Sequence, residues 1–304
     1  MSKAGDIEPD PSVIGNIAKP PFVRLPDSRQ LFTDRAQRFR ALADGHELAS
    51  YLLFLADLSQ AQADIQSDLP EPEMPAAETR ARAKAHSMPP LDRGRFTADA
   101  AFDVAFERLT AAAEPIDMPA PAREALTRLK HADATIPTMV RNVLDDAIPI
   151  ESMAEHVFVA AALQVHFARL AQRLDAAQLV PVGDGVCPAC GAAPVASLVV
   201  GWQNADGTRF CSCSLCGTLW NFVRVRCTVC GKTDKITYQE ISGGNGQIKA
   251  EVCETCGSYS KVLYQQKNAV LDPVADDVAS LGLDLLVREL GFRRGNVNPF
   301  LLGY

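Results

Sequence analysis

No cysteine occurs among the first 186 residues of this 304-residue chain, and nine crowd into the remainder. Thiols that merely fill a core scatter along a chain, so this confinement marks one segment as chemically distinct. Long apolar runs are missing too. The longest, around Val157 to Val165, falls short of the roughly 18 residues that a bilayer span requires. The start, Met1-Ser2-Lys3-Ala4-Gly5-Asp6, lacks the basic opening and apolar centre of a secretory signal. Both absences point to a soluble cytoplasmic protein with no membrane insertion. Positive charge is sparse: 30 Lys and Arg face 37 Asp and Glu, a formal charge of -7. That balance counts against a dedicated nucleic-acid binder, which usually presents a basic field. The five histidines, His46, His86, His131, His156 and His166, all precede the cysteines, and none has a ligand spacing such as HExxH. They read as structural. Phosphate loops, GxSxG elbows and GxGxxG fingerprints are absent. The acidic pairs Asp145-Asp146 and Asp276-Asp277 read as helix ends or solvated faces.

What is present suffices for a globular core, with 47% hydrophobic and 22% charged residues. Residues 1–28, with Pro20-Pro21 and Pro26, predict an irregular arm. Phe32, Ala36, Phe39 and Ala43 then recur at helical intervals, with Gly45 as the stop. A second helix is expected from Glu47 to about Ile65. Residues 67–95 read as a long loop, because the prolines at 70, 72 and 75 each remove a helix donor. A short helix around Thr79 to Ala85 interrupts it. Phe102, Ala105, Phe106 and Leu109 mark another helix, capped by Thr97 or Asp99. Further helices are expected over 121–132, 138–147 and 151–178. At Val182-Gly183-Asp184-Gly185 the character changes to glycines, β-branched residues and cysteine pairs. Trp220 to Arg226 reads as a strand, and Gly243-Gly244-Asn245-Gly246 as a hairpin turn. Helix returns from Val274 to about Leu290, with Val278, Leu281, Leu285 and Leu286 on one face. An apolar tail, Asn298 to Leu302, is expected to dock.

Four cysteine knuckles dominate the second half. They are Cys187-Pro188-Ala189-Cys190-Gly191, Cys213-Ser214-Leu215-Cys216-Gly217, Cys227-Thr228-Val229-Cys230-Gly231 and Cys253-Glu254-Thr255-Cys256-Gly257. Two intervening residues let one tight turn aim both sulfurs at one ion, and the glycine lets the chain turn back. From 187 to 213, and from 227 to 253, is 26 positions each, and the second pair repeats the first at a displacement of 40. This is the signature of a tandem duplication. It favours Cys187, Cys190, Cys213 and Cys216 on one metal ion and Cys227, Cys230, Cys253 and Cys256 on another. A crossed pairing of first with third and second with fourth knuckle is the alternative. Zinc and iron both accept four sulfurs, and the residues do not choose between them. Cys211 stands outside the pattern and reads as a small buried strand residue. A site closed by four cysteines has no open position for substrate, so no enzyme is expected.

The expected architecture is therefore α+β and multidomain. An arm (1–28) precedes an all-helical domain (29–182). Two tandem rubredoxin-like or zinc-ribbon four-cysteine metal domains follow (183–222 and 223–265), and then a C-terminal helix and tail (266–304). At this point the chain resembles the FdhE family, the formate dehydrogenase accessory proteins. The resemblance rests on Val23-Arg24-Leu25-Pro26 with Leu31-Phe32, Arg35-Ala36 and Arg38. It rests also on the four knuckles with Gly217-Thr218-Leu219-Trp220, on Asp276 to Leu286, and on Asn298-Pro299-Phe300-Leu301-Leu302. It implies a cytoplasmic, non-enzymatic maturation factor that binds the catalytic subunit of a respiratory formate dehydrogenase. It also favours iron over zinc in the two sites, which would make them redox-responsive. Two other functions fit the residues: a nucleic-acid-binding tandem zinc ribbon, and a rubredoxin-like electron carrier or thiol oxidoreductase. Residues 187–261 hold seven Lys or Arg against five Asp or Glu, too slight an excess to favour the first. A large helical domain is surplus to the second. Oligomeric state is not encoded in any of these features.

Overall fold

A computed structural model describes residues 20–131 and 134–301. The first 19 residues of the expected arm, and Leu302 of the expected tail, lie outside that range. Seven helices come first: α1 (Ser28–Ala43), α2 (Ala49–Asp64), α3 (Ala77–Ala85), α4 (Ala100–Ala113), α5 (Ala120–Leu129), α6 (Ile136–Leu144) and α7 (Met153–Ala171). The Asp27 carboxylate starts α1 by accepting from Gln30 N–H, and Asp99 starts α4 by accepting from Phe102 N–H. The predicted stripe Phe32, Ala36, Phe39 and Ala43 is buried throughout. Helices α1, α2, α4, α5 and α6 all lie against α7. From Phe158 to Ala171 every α7 side chain is buried, which is why its sequence shows no polar stripe and is apolar except at Gln164, His166 and Arg169. The helix ends at Ala171, short of the expected 178, and only a 3-10 turn covers Ala176–Gln178.

The second half is built on strands: β1 (Val23–Arg24), β2 (Pro194–Val199), β3 (Arg209–Cys213), β4 (Leu219–Asn221), β5 (Ile236–Gln239), β6 (Ile248–Cys253), β7 (Ser258–Tyr264) and β8 (Arg293–Arg294). They form one sheet in the order β1-β4-β3-β2-β7-β6-β5, with β8 on β7. Each repeat contributes a three-stranded antiparallel meander, β2-β3-β4 and β5-β6-β7, and the two join at a parallel β2–β7 seam. The duplication is visible in the register. Cys211 pairs with Trp220 and Ser212 with Leu219 in the first repeat; Glu251 pairs with Ser260 and Val252 with Tyr259 in the second. Adding the 40-residue repeat to either first-repeat pair gives its second-repeat pair. The glycine-rich segment 243–246 joins antiparallel β5 and β6, as expected of a hairpin connection.

Three further expectations are corrected. The strand over Trp220 to Arg226 stops at Asn221. Beyond it the Arg224 and Arg226 carbonyls accept from the buried Arg209 guanidinium at 3.2 and 3.1 Å instead of joining a ladder. The helix over 274–290 breaks at Ser280 into α8 (Ala275–Ala279) and α9 (Leu281–Glu289). The Lys261 ammonium takes the Asp277 and Ser280 carbonyls at 2.8 and 3.1 Å, drawing them out of a continuous helix. The break rotates α9, so Leu283, Asp284 and Val287 are buried while Leu285 and Leu286 are 46% and 48% exposed. Finally, Asp276 and Asp277 open a helix, but they are buried rather than solvated. Asp276 takes a two-pronged contact from Arg38 on α1, at 2.8 and 2.6 Å. Asp277 faces Lys261 and Arg294. The tail docks as expected, with Phe300 and Leu301 buried.

Candidate metal centres

Three knuckles are turns closed by the glycine N–H, and the second is closed by Cys213 N–H donating to the Thr218 carbonyl at 3.0 Å. Gly191 N–H donates to the Cys187 carbonyl at 2.9 Å, Gly231 N–H to Cys227 at 3.0 Å and Gly257 N–H to Cys253 at 2.9 Å. The glycine after each pair has φ between +67° and +81°, a region that side chains disfavour. With the chain folded back in this way, both sulfurs of a knuckle face the same side. The strands then bring knuckles together in twos. The first precedes β2 and the second links β3 to β4; the third precedes β5 and the fourth links β6 to β7.

The sulfurs of Cys187, Cys190, Cys213 and Cys216 lie within 4.8 Å of one another, as do those of Cys227, Cys230, Cys253 and Cys256. The grouping is sequential, not crossed. Across knuckles, the Cys187–Cys216 sulfurs are 3.7 Å apart and Cys190–Cys213 3.4 Å. The corresponding distances in the second group, Cys227–Cys256 and Cys230–Cys253, are both 3.7 Å. A disulfide would bring sulfurs to about 2.05 Å, so these are free thiols. Four sulfurs at about 2.3 Å from a tetrahedral ion stand about 3.8 Å apart along each edge, so both groups match such an ion in size. Backbone N–H groups already solvate the sulfurs: Leu215 and Cys216 donate to Cys213 Sγ at 3.4 and 3.3 Å, and Val229 to Cys227 Sγ at 3.4 Å.

Charge makes the same point. Burial pushes the Cys187 and Cys190 thiols well above their ordinary range. At Cys213 burial acts the same way, but it is outweighed by hydrogen bonds from the other three thiols and from Cys216 N–H, and that thiol falls well below its ordinary range. Packed this closely, four thiolates would repel one another unless a cation lay among them, and a cation there would offset the burial that holds Cys187 and Cys190 protonated. Cys211 belongs to neither group. It is fully buried on β3, its sulfur 3.6 Å from Ser197 Oγ, and burial pushes its thiol up to about 11. In the duplicated register it occupies the place of Glu251. None of the five histidines joins a sulfur group. Nor do Asp145 and Asp146, of which Asp146 pairs with Arg93 at 2.7 Å.

Composition and spacing gave no sign of the residues that hold the ribbons to the helices. Leu91 and Arg93 N–H donate to the Ala189 and Cys190 carbonyls at 2.9 and 3.0 Å, so the proline-rich loop straps the first knuckle. Gln164 on α7 donates to the Ser214 carbonyl at 2.8 Å, fixing the second knuckle. Arg209 on β3 pairs with Glu251 on β6 at 2.9 Å, both buried, and ties one repeat to the other.

Fold and sites together define a class: tandem cysteine-knuckle ribbons fused into one sheet and carried on a helical body, with two closed four-sulfur sites. Family models narrow this. The N-terminal model of FdhE matches residues 20–184, the central-domain model 186–224 and the C-terminal-domain model 225–301. The chain belongs to the FdhE family. A protein named FdhE homolog from Rhizobium meliloti (strain 1021) is 49% identical over 301 residues, covering 98% of each chain. The protein named FdhE from Escherichia coli O9:H4 (strain HS) is 34% identical over 286 residues, covering 93% of this chain and 91% of its own. The crystal structure of the FdhE protein from Pseudomonas aeruginosa superposes with a TM-score of 0.83 at 30% identity, covering 93% of this chain and 99% of that one.

Proposed function

We propose that this chain is a non-catalytic accessory factor for formate dehydrogenase. In this reading it acts in the cytoplasm and binds the enzyme's catalytic subunit during maturation. Its eight knuckle cysteines, Cys187, Cys190, Cys213, Cys216, Cys227, Cys230, Cys253 and Cys256, hold two metal ions, with iron favoured over zinc. The observation that carries the reading is the closed geometry of both sulfur groups. Four protein ligands leave an ion no open position, so it shapes a surface or changes charge but does not bind substrate. Family membership supports formate dehydrogenase as the client. No helix among the described residues is long and apolar enough to cross a membrane. Iron in either site would change the local charge by one unit on reduction, and docking would then follow redox state.

The test is an anaerobic affinity capture from the native organism, with a Cys187→Ser/Cys190→Ser double variant alongside and metal content measured on both. Recovery of a formate dehydrogenase catalytic subunit by the wild-type protein, lost with the variant, is the expected result. Recovery of RNA or of an electron-transfer enzyme instead would replace this reading. Full accessory activity in a zinc-substituted protein would remove the redox step.

A further inference from the structure

The two sulfur groups come from repeats of one unit, yet their surroundings differ. In the first, Cys187, Cys190 and Cys216 are 0% exposed and Cys213 2%. All four belong to the main apolar core that runs into the helices. Covers come from several directions: the Leu91–Arg93 strap, Gln164 of α7, Pro89 over Gly191, and Leu31 of α1 over Gly217. An ion there could leave only if the helical body separated from the ribbon.

In the second group Cys253 and Cys227 are buried, but Cys230 is exposed and Cys256 half-buried. Val229, at the tip of that knuckle, is 45% exposed. Among the described residues, none of these four cysteines belongs to an apolar cluster. The second ribbon is held elsewhere. Lys261 and Arg294 pair with Asp277 and Asp284 in a buried lattice, with Tyr259 donating to Asp284 at 2.8 Å and Asn298 to Asp277 at 2.8 Å. That lattice joins β7, α8, α9, β8 and the tail without involving a sulfur. The strands therefore have an anchor that survives loss of the ion.

We infer that the sites divide the work: the first is a permanent structural site and the second an exchange site. This rests on the reading of the eight cysteines as ligands. At the second site a small thiol or chelating carrier approaches along the Cys230–Cys256 edge. A donor atom of the carrier would take the place of the Cys230 sulfur on the ion, and with a thiol carrier Cys230 would take up the proton that the incoming thiol gives up. No electron moves, and the ribbon stays folded. Occupancy of the second site then reports the metal supply, while the first keeps ribbon and helices together.

The test uses the full chain loaded with zinc, its stoichiometry set by elemental analysis. Zinc release to 4-(2-pyridylazo)resorcinol is followed together with N-ethylmaleimide labelling mapped by peptide mass spectrometry, and with circular dichroism. One ion is expected to leave at least about tenfold faster than the other, because only its release needs no opening of the core. Label should appear on Cys230 and Cys256 in that same phase, with the dichroism unchanged. A Cys230→Ser variant should stay folded and keep only the slow ion. Release of both ions in one phase, or first labelling of Cys187 to Cys216, overturns the division while leaving two metal sites in place. Failure to bind two ions with all cysteines reduced removes the ligand reading itself, and the division with it.

Discussion

Asp276 shows what a single buried charge does here. Its carboxylate is 1% exposed and meets Arg38 of α1 through two nitrogens, while Asp272 N–H donates to it at 2.8 Å. Arg35 approaches Asp272 at 3.6 Å one turn away. Removing one partner of such a pair strands the other charge in the interior. Asp276→Ala is therefore expected to destabilise the protein by about 3 kcal/mol, read as a shift in the urea midpoint at unchanged slope. A change below about 0.5 kcal/mol would mean the pair is solvated in solution. Nothing in the local sequence announces it, since the partners stand 238 positions apart. An Asp-Asp pair opening a helix reads as a dipole contact until the partner is seen. His166 gives a second residue-scale expectation. It lies among Phe96, Phe102 and Phe167, with Asp99 at 3.8 Å. Burial lowers its pKa to about 4, outweighing the Asp99 charge. The folded state thus holds it neutral while the unfolded chain protonates near 6.5. Its contribution is fully present above about pH 6.5 and is lost as pH falls toward 4, on the order of 3 kcal/mol. His166→Gln should flatten stability against pH in that window relative to wild type, and equal slopes would contradict the burial argument.

Elements were legible where one face is buried and one is wet. The α1 stripe and the Asp99 cap of α4 follow from spacing and side-chain chemistry alone. Failures came where a distant side chain claims backbone groups. Lys261 breaks the C-terminal helix by taking two of its carbonyls, and Arg209 ends a strand in the same way. The sequential grouping of the knuckle sulfurs was legible to the residue, because CxxC spacing is local and the repeat spacing is equal. The covers that make the two sites unequal were not, because they come from the far end of the chain. Turns can be tested at two glycines. A Cβ on Gly185, at φ +62°, would sit 1.8 Å from the Thr228 carbonyl, where the first ribbon's lead-in crosses the third knuckle. Gly45, at φ +66° after α1, would meet nothing within 4 Å. Gly45→Ala should cost about 1 kcal/mol for conformation alone. Gly185→Ala should cost more than about 2 kcal/mol, since backbone must also move. Thermal melting of both variants measures the difference, and equal losses would show that the crossing yields freely.

At the scale of the molecule, duplication was readable from two equal spacings, and the register repeats it pair for pair. Its consequence for shape was not, because a parallel seam between the first strand of one repeat and the last of the other leaves no mark on composition. The C-terminal segment likewise reads as an appendage but supplies partners for Arg35, Arg38 and Lys261. A chain ending at residue 265 should therefore be insoluble or molten, seen as loss of near-ultraviolet dichroism with much of the far-ultraviolet signal retained. A cooperatively melting truncation would show the segment to be dispensable. The same wiring sets a timetable for synthesis. Val23 finds its strand partner only when Trp220 has been made, the seam closes only at Val262 to Tyr264, and Arg38 waits for Asp276. A ribosome thus carries the first strand and helix long before their partners exist, the first helix lacking the acid that will neutralise it, and the fold closes only after residue 276 has been made.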